Sequence, residues 1–362
     1  MKDKNISNER YTQKKTTALE LLNIQLAINN HTILQALTFD LTEGEILCLL
    51  GPSGCGKTTA LKTIAGLSIP QQGHISLFGD TVFSDNIINQ PPEQRSIGFI
   101  FQDYALFPHM TVSQNIAYGL SHLGKQERQQ RIKESLELVE LSDLEQRYPH
   151  ELSGGQQQRI AVARALAPKP KLLLMDEPFS NIDGQVKRRM MADLRRLLKE
   201  HSISCIFVTH AKEEAFAFAD KTAVMINGHI EQLDIPAKVF NQPNTFAVAE
   251  FMEAGNLATL KHSQQVLDKI PHQWPRDIDN SGYWLFKPQH LILSHSLQNT
   301  GIELIDSTYI GRGYQHDIAI RLTKSNHAPT VIWKAETETP LGIAIGENIA
   351  LEYDQQPHWL QD

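Results

Sequence analysis

The segment Gly51-Pro52-Ser53-Gly54-Cys55-Gly56-Lys57-Thr58 fits the spacing G-x-x-x-x-G-K-[ST] without a mismatch. Its chemistry follows from the residue types. Glycines allow backbone N–H groups to converge on phosphate oxygens, and a helix opening at the lysine adds the positive end of its dipole. Lys57 is placed to neutralise β- and γ-phosphates and the Thr58 hydroxyl to ligate Mg²⁺, with Thr59 completing the set at the helix start. A Gly-rich turn without ligand is the plainer reading. A second group is Asp176-Glu177-Pro178, at the end of the apolar run Lys171-Leu172-Leu173-Leu174-Met175. Two carboxylates there are costly unless they serve a cation or a reaction. Asp176 is assigned to Mg²⁺, usually through water, and Glu177 to an attacking water as general base. A carboxylate pair at a helix start is the alternative. His210 ends a third apolar run, Ser204 to Thr209, on the rim where a γ-phosphate would lie.

These groups must be positioned by a sheet. Continuous apolar runs (Glu45 to Leu50, Lys171 to Asp176, Ser204 to His210) are expected of parallel strands buried on both faces. Segments with helical periodicity lie among them: 57–67, 126–141, 156–167 and 185–200. This predicts an α/β domain over 18–243, after a flexible tail of residues 1–17. Beyond it the texture changes to short β-like runs separated by Gly, Pro, Asn and Ser: 283–293, 301–322, 330–334 and 348–353. A small all-β accessory domain of barrel or sandwich type is expected over 244–362.

The bulk numbers limit the classes. The 362 residues suit two domains, 41% hydrophobic and 21% charged residues suit a globular protein, and a net charge of -7 argues against nucleic acid as the main partner. The polar N-terminus does not read as a secretory signal, and no apolar run approaches the roughly 18–20 residues that cross a bilayer. A protein at a membrane would then be a peripheral subunit. Three cysteines without metal-ligand spacing fit a reducing compartment, and fifteen scattered histidines form no HExxH pair.

The run Leu152-Ser153-Gly154-Gly155-Gln156-Gln157-Gln158-Arg159, taken with the phosphate loop and the Asp176-Glu177 strand, resembles the ATP-binding cassette family of transporter ATPases. Gln102 matches the family's Q-loop, Ser180-Asn181-Ile182-Asp183 its D-loop and His210 its switch histidine. The resemblance implies a P-loop ATPase domain with a helical subdomain, and ATP and Mg²⁺ as cofactors. It implies nucleotide contacts by Gln102, Ser153, Gly154, Gly155, Gln156 and Asp183, with Gln102 also near the metal. Two copies would stack head-to-tail, each ATP lying between one phosphate loop and the other copy's Ser-Gly-Gly turn. Near Gln102, Tyr104 and Phe107 are expected at a groove for a membrane subunit, and Phe99 and Phe101 in the core. Two departures matter: aligned on Glu43-Gly44-Glu45, Ile28 occupies the place of the family's adenine-stacking aromatic, and the D-loop has Asn181-Ile182 where Ala-Leu is commoner.

The accessory domain narrows the resemblance to importer ATPases, where Phe286-Lys287-Pro288-Gln289-His290 looks like a degraded Arg-Pro-Glu motif. The run from Phe101 to Leu120 and the lead-in Tyr148-Pro149-His150-Glu151 look most like ferric-iron importers. Polyamine, sulfate, sugar and molybdate relatives share every catalytic motif. The expected partners are a second copy, two transmembrane permease subunits and, indirectly, a substrate-binding protein, at the cytoplasmic face of the inner membrane. Two other classes compete. A non-transport cassette ATPase acting on ribosomes or DNA usually carries two cassettes or a coiled-coil insertion. A purely regulatory ATP-binding subunit is disfavoured by the presence of both Glu177 and His210.

Overall fold

The computed structural model describes residues 16–85, 87–180, 182, 184–259, 282–298, 300–321, 330–355 and 357–361. The expected tail (but for Thr16 and Thr17), and Asn181 and Asp183 of the expected D-loop, lie outside them. The chain forms two compact units, Met1–Ile230 and Glu231–Asp362, divided somewhat earlier than the composition shift at 243/244.

In chain order the first unit holds β1 (Thr17–Ile28), β2 (His31–Thr42), β3 (Ile46–Leu50), α1 (Lys57–Ile64), β4 (Gln72–Leu77), β5 (Asp80–Ser84), β6 (Ile88–Asn89) and β7 (Ile97–Ile100). It continues with α2 (Val112–Ala117), α3 (Lys125–Leu138), α4 (Gly154–Leu166), β8 (Leu172–Asp176), α5 (Gly184–Glu200), β9 (Ser204–Thr209), α6 (Lys212–Phe218), β10 (Lys221–Ile226) and β11 (His229–Asp234), inside which the division falls.

The three continuous apolar runs are β3, β8 and β9, and every residue of each is buried. They lie side by side in the order β10-β3-β9-β8-β7, and all four of these pairings are parallel. Parallel strands in mid-sheet are covered on both faces, which is why their sequences do not alternate. Their C-terminal ends share one rim, where the chain leaves β3 into the phosphate loop, β8 into Glu177 and β9 into His210. An antiparallel sheet, β2-β1-β4-β5-β6, makes a second layer. Strand β1 begins at Thr17, and here apolar and polar residues do alternate over much of the length.

The sheet is backed by helices whose apolar faces the sequence prescribes. Along α5 the buried residues are Met190, Met191, Leu194 and Leu198, and the remaining positions carry all of its Arg and Lys. Phe179, Phe207 and Phe218 meet edge-on, with ring centroids 5.0 to 6.5 Å apart. That cluster fixes the chain just past Glu177-Pro178 against β9 and α6. Edge-to-face aromatic pairs contribute about 0.5–1.5 kcal/mol beyond area burial.

The second unit holds α7 (Pro236–Asn241), α8 (Phe246–Met252) and strands β12 (Asn256–Thr259), β13 (Gly282–Phe286), β14 (Leu291–His295), β15 (Ile302–Tyr309), β16 (Tyr314–Arg321), β17 (Thr330–Thr337), β18 (Ile349–Tyr353) and β19 (His358–Gln361). They form three small antiparallel sheets, β12-β13-β19, β14-β18 and β15-β16-β17, around Phe286, Ile318, Ile320, Trp333 and Leu351. An all-β accessory unit is therefore present, preceded by two short helices. Two expected runs are each two strands: 283–293 breaks at a turn over Pro288–His290, and 301–322 folds back at Gly311 and Gly313.

Candidate functional site

The phosphate loop is built on close approach. A Cβ on Gly51 would lie 2.1 Å from the Met225 carbonyl, and Gly56 takes φ 105° with the Ile33 carbonyl 2.9 Å from where a Cβ would stand. Neither position admits a side chain without moving backbone. Gly54 is also left-handed, at φ 84°. The buried Lys57 ammonium donates to the carbonyls of Gly51 and Pro52, both at 2.8 Å, and lies 3.8 Å from Cys55 Sγ. Cys55 is only 7% exposed, and burial pushes its thiol up against the opposing pull of Lys57. At the other end of α1, the buried Arg95 guanidinium donates to the Thr63 and Ile64 carbonyls at 3.0 and 2.8 Å. A cation on the last carbonyls of a helix complements its dipole.

Asp176 is buried at the end of β8 and accepts from Thr58 Oγ1 at 2.8 Å. Burial raises its pKa, with the Glu177 charge adding to the rise and the Thr58 bond and Lys62 and Lys57 opposing it. The phosphate-loop hydroxyl and the strand-end carboxylate are thus already together. They are hard oxygen donors of the kind Mg²⁺ takes.

Glu177 adopts φ 44°, a conformation non-glycine residues hold only when their surroundings impose it. Its N–H donates to the Val208 carbonyl at 3.1 Å, and its own carbonyl accepts from Ser180 Oγ at 3.1 Å. The turned carboxylate receives Gln102 Nε2 at 3.1 Å on one oxygen and meets His210 Nδ1 at 3.3 Å on the other. Gln102, Glu177 and His210, far apart in the chain, therefore form one polar cluster on the rim. A water between this cluster and a bound phosphate would find an acceptor in Glu177.

Ser153 N-caps α4 in a reciprocal capping box: Gln156 N donates to Ser153 Oγ at 3.3 Å, and Ser153 N to Gln156 Oε1 at 2.9 Å. Gly154 has open space where a Cβ would point, and Gly155 faces Met190 Sδ. The Ser-Gly-Gly turn thus presents a helix N-terminus with little side-chain cover, as an anion-binding turn requires. The expected site residue Asp183 lies outside the described residues.

Three expectations beside Gln102 change. Tyr104 is buried, at 6% exposure, and not offered to a partner. The cause is a left-handed pair, Tyr104 at φ 59° and Ala105 at φ 46°, whose carbonyls both accept from Arg164 at 2.8 and 2.7 Å. Phe99 and Phe101 are only partly buried and lean on each other at 4.4 Å. Phe107 keeps partial exposure against Tyr118, which is 61% exposed. At Ile28, β1 ends in the two-residue turn Asn29-Asn30, and the side chain is 48% exposed with His31 as its cross-strand partner. The left-handed φ values of both asparagines are what a tight hairpin needs.

Sequence motifs did not show what stands behind the site. Glu214 is buried in α6 and accepts from Thr209 Oγ1 at 2.6 Å and from Lys187 Nζ at 2.9 Å, while Thr209 Oγ1 caps the Ala211 N–H. That network sets the turn carrying His210. Gln158 Nε2 donates to the Pro178 carbonyl at 2.6 Å and ties α4 to the segment bearing Glu177. The only signal for these residues was an uncommon polar residue on an otherwise apolar helix face.

Comparison with known proteins agrees with this geometry. Residues 34–180 match the family model described as ABC transporter. The Fe(3+) ions import ATP-binding protein of Escherichia coli O157:H7 is 38% identical over 341 residues, 92% of this chain and 94% of that protein. The spermidine/putrescine import ATP-binding protein of Nitrosospira multiformis is 42% identical over 266 residues, 73% of this chain and 71% of its own. Among solved structures, a dimeric ATP-binding cassette in a post-hydrolysis state with ADP and Pi bound is 29% identical, with a TM-score of 0.53, over 60% of this chain and 98% of that one. With the phosphate loop, strand-end carboxylates and capped Ser-Gly-Gly turn in one chain, the relatives place it plainly: it belongs to the ATP-binding cassette transporter family, as an ATP-hydrolysing subunit of the importer type.

Proposed function

We propose that this subunit hydrolyses Mg-ATP between two copies of itself to drive import of ferric iron through a pair of membrane permease subunits. The observation that carries the catalytic part is the meeting of Gln102, Glu177 and His210 on the rim that also holds Lys57. Gly51 to Thr59 cradle the phosphates, and Lys57 turns from the Gly51 and Pro52 carbonyls to phosphate oxygens. Thr58, Asp176 and the side-chain amide oxygen of Gln102 would hold Mg²⁺, which when bound would neutralise charge developing on the phosphates. Glu177 takes the proton of the attacking water, and His210 orients the carboxylate and the γ-phosphate.

The Ser153-Gly154-Gly155 turn with Gln156 closes on the nucleotide held by the other copy, with Asp183 at the same junction. Each site is then completed only in a two-fold dimer, an assembly like the dimeric cassette that this chain resembles. ATP stabilises the closed pair only by its higher affinity for that state. The subunit would act at the cytoplasmic face of the inner membrane, fed by a substrate-binding protein, and among the described residues no helix is long and apolar enough to cross a membrane.

Glu177→Gln tests the catalytic reading. The variant is expected to bind ATP, lose turnover and accumulate as a nucleotide-dependent dimer in light scattering. Hydrolysis at the parent rate would overturn it. The ferric assignment rests on near full-length similarity to a ferric-import protein. Similarity to a spermidine/putrescine protein supports the runner-up, import of a polyamine. Uptake of labelled ferric iron and of spermidine by cells with and without this subunit separates the two.

A further inference from the structure

A cavity of about 300 Å³ opens between α3, α4 and α5, inside the first unit. No residue of the phosphate loop lines it, nor do Glu177, His210 or the Ser153 turn. Its volume is at the lower end of ligand pockets, about 300–1,000 Å³. The floor is apolar, from Val162, Phe179, Met190 and Leu194. Into that wall is built Gln158, 1% exposed. Its Nε2 is engaged by the Pro178 carbonyl, and its Oε1 is buried with no hydrogen-bond partner. A buried acceptor left unmatched is unfavourable, so a donor arriving there is favoured.

The rim has a sign as well. Glu137, Glu140, Asp193 and Glu200 line the cavity, against the guanidinium groups of Arg159 and Arg196. Both arginines are already paired within the rim: Arg159 with Glu140 and Asp193 at 3.5 and 3.3 Å, Arg196 with Asp193 at 3.6 Å. Glu137 also faces Lys133 at 3.8 Å, but among the described residues no lysine lines the cavity, so the surplus among the lining side chains is negative, and it borders a part-apolar space where charges are screened less than in water.

We propose that this cavity binds a small protonated amine carried on an apolar body. The apolar part fills the space over Phe179 and Leu194, and the ammonium donates to Gln158 Oε1 within the field of the carboxylates. Because Gln158 also holds Pro178, next to Glu177, an occupant bears on the catalytic segment through a single side chain.

Phenylbutylamine, phenylbutanol and phenylbutyrate are the probes, each titrated into the full chain by calorimetry. The amine is expected to bind most tightly and the carboxylate least. Glu137→Gln with Glu200→Gln is expected to weaken the amine by about two- to tenfold while leaving the alcohol unchanged. Leu197→Trp, on the cavity lining, is expected to abolish binding of both, with retained ATP binding showing that the variant is folded. Lys57→Ala, which removes the nucleotide-site cation, is expected to keep the parent affinity for the amine. Equal affinity for amine and carboxylate, indifference to the rim variant or to the filling variant, or tighter amine binding in Lys57→Ala would each overturn the proposal; the last would place the probe in the nucleotide site, where loss of a cation favours an ammonium.

Discussion

Lys57 shows how much of the site one residue decides. Its ammonium is buried and satisfied by two carbonyls, so the loop holds its shape around a cation before any phosphate arrives. Charge-assisted bonds of this kind are worth about 1.5–3 kcal/mol each. Lys57→Ala is therefore expected to weaken ATP binding by about tenfold or more, and unchanged affinity in a filter assay would overturn the assignment of the loop. Cys55, two residues earlier, reports the same geometry without altering it. Its thiol is nearly covered and its pKa raised by burial, so little thiolate forms near neutral pH. Modification by a maleimide is expected to be slow in the free protein and slower still with Mg-ATP. Equal rates with and without nucleotide would contradict a phosphate seat beside this residue.

At the scale of elements, the site depends on β3, β8 and β9 staying in register, and Asp220 is one of the ties that keeps them so. Its carboxylate accepts from the Ile46 N–H at 2.8 Å at the start of β3, from Arg195 at 2.7 Å and from Lys199, both on α5. Burial alone would raise its pKa, but the three donors overcome that and hold it below the usual carboxylate range. A carboxylate depressed in the folded state contributes its full stabilisation above its unfolded value, about 3.9, and loses it as pH falls through the folded value. Asp220→Asn is expected to destabilise the first unit by about 1–2 kcal/mol near neutral pH, read as an earlier midpoint in urea, with the difference beginning to shrink below about pH 4 and vanishing below the folded value. These central strands were legible in the sequence because strands buried on both faces must be continuously apolar. Strand β7 was legible only through Phe99 and Phe101, as a strand with core aromatics, and β10 was not legible at all, its apolar run being only Ala223 to Ile226. Tyr104 was misplaced for another reason: its direction is set by a left-handed turn that Arg164 clamps from α4, a contact that spans 60 positions. Glu177 was legible as a carboxylate at a strand end, but its contacts with Gln102 and His210 depend on the same kind of turn.

On the whole-molecule scale the two units have separate cores, so thermal unfolding need not be a single transition. Their acid responses are expected to differ, which gives a way to tell the transitions apart. In the second unit His316 is fully buried among Ile318, Trp333 and Ala335, with Nε2 against Thr337 Oγ1 at 2.8 Å and Nδ1 without a hydrogen-bond partner. Burial lowers its pKa, because the imidazolium would have to shed water that nothing on the Nδ1 side replaces. In the unfolded chain the ring takes a proton near pH 6.5, while in the folded unit it does so only at lower pH. The unfolded state then binds more protons across that interval, and stability falls as pH drops from about 6.5 toward the folded value. Asp220 makes no such demand on the first unit until about pH 4. Calorimetric scans between pH 7 and pH 5 are therefore expected to move the transition of the second unit downward more than that of the first. His316→Phe, which keeps the ring shape and removes the proton acceptor, is expected to flatten that dependence. A variant whose second-unit transition still fell with the parent slope would show that the acid sensitivity arises elsewhere.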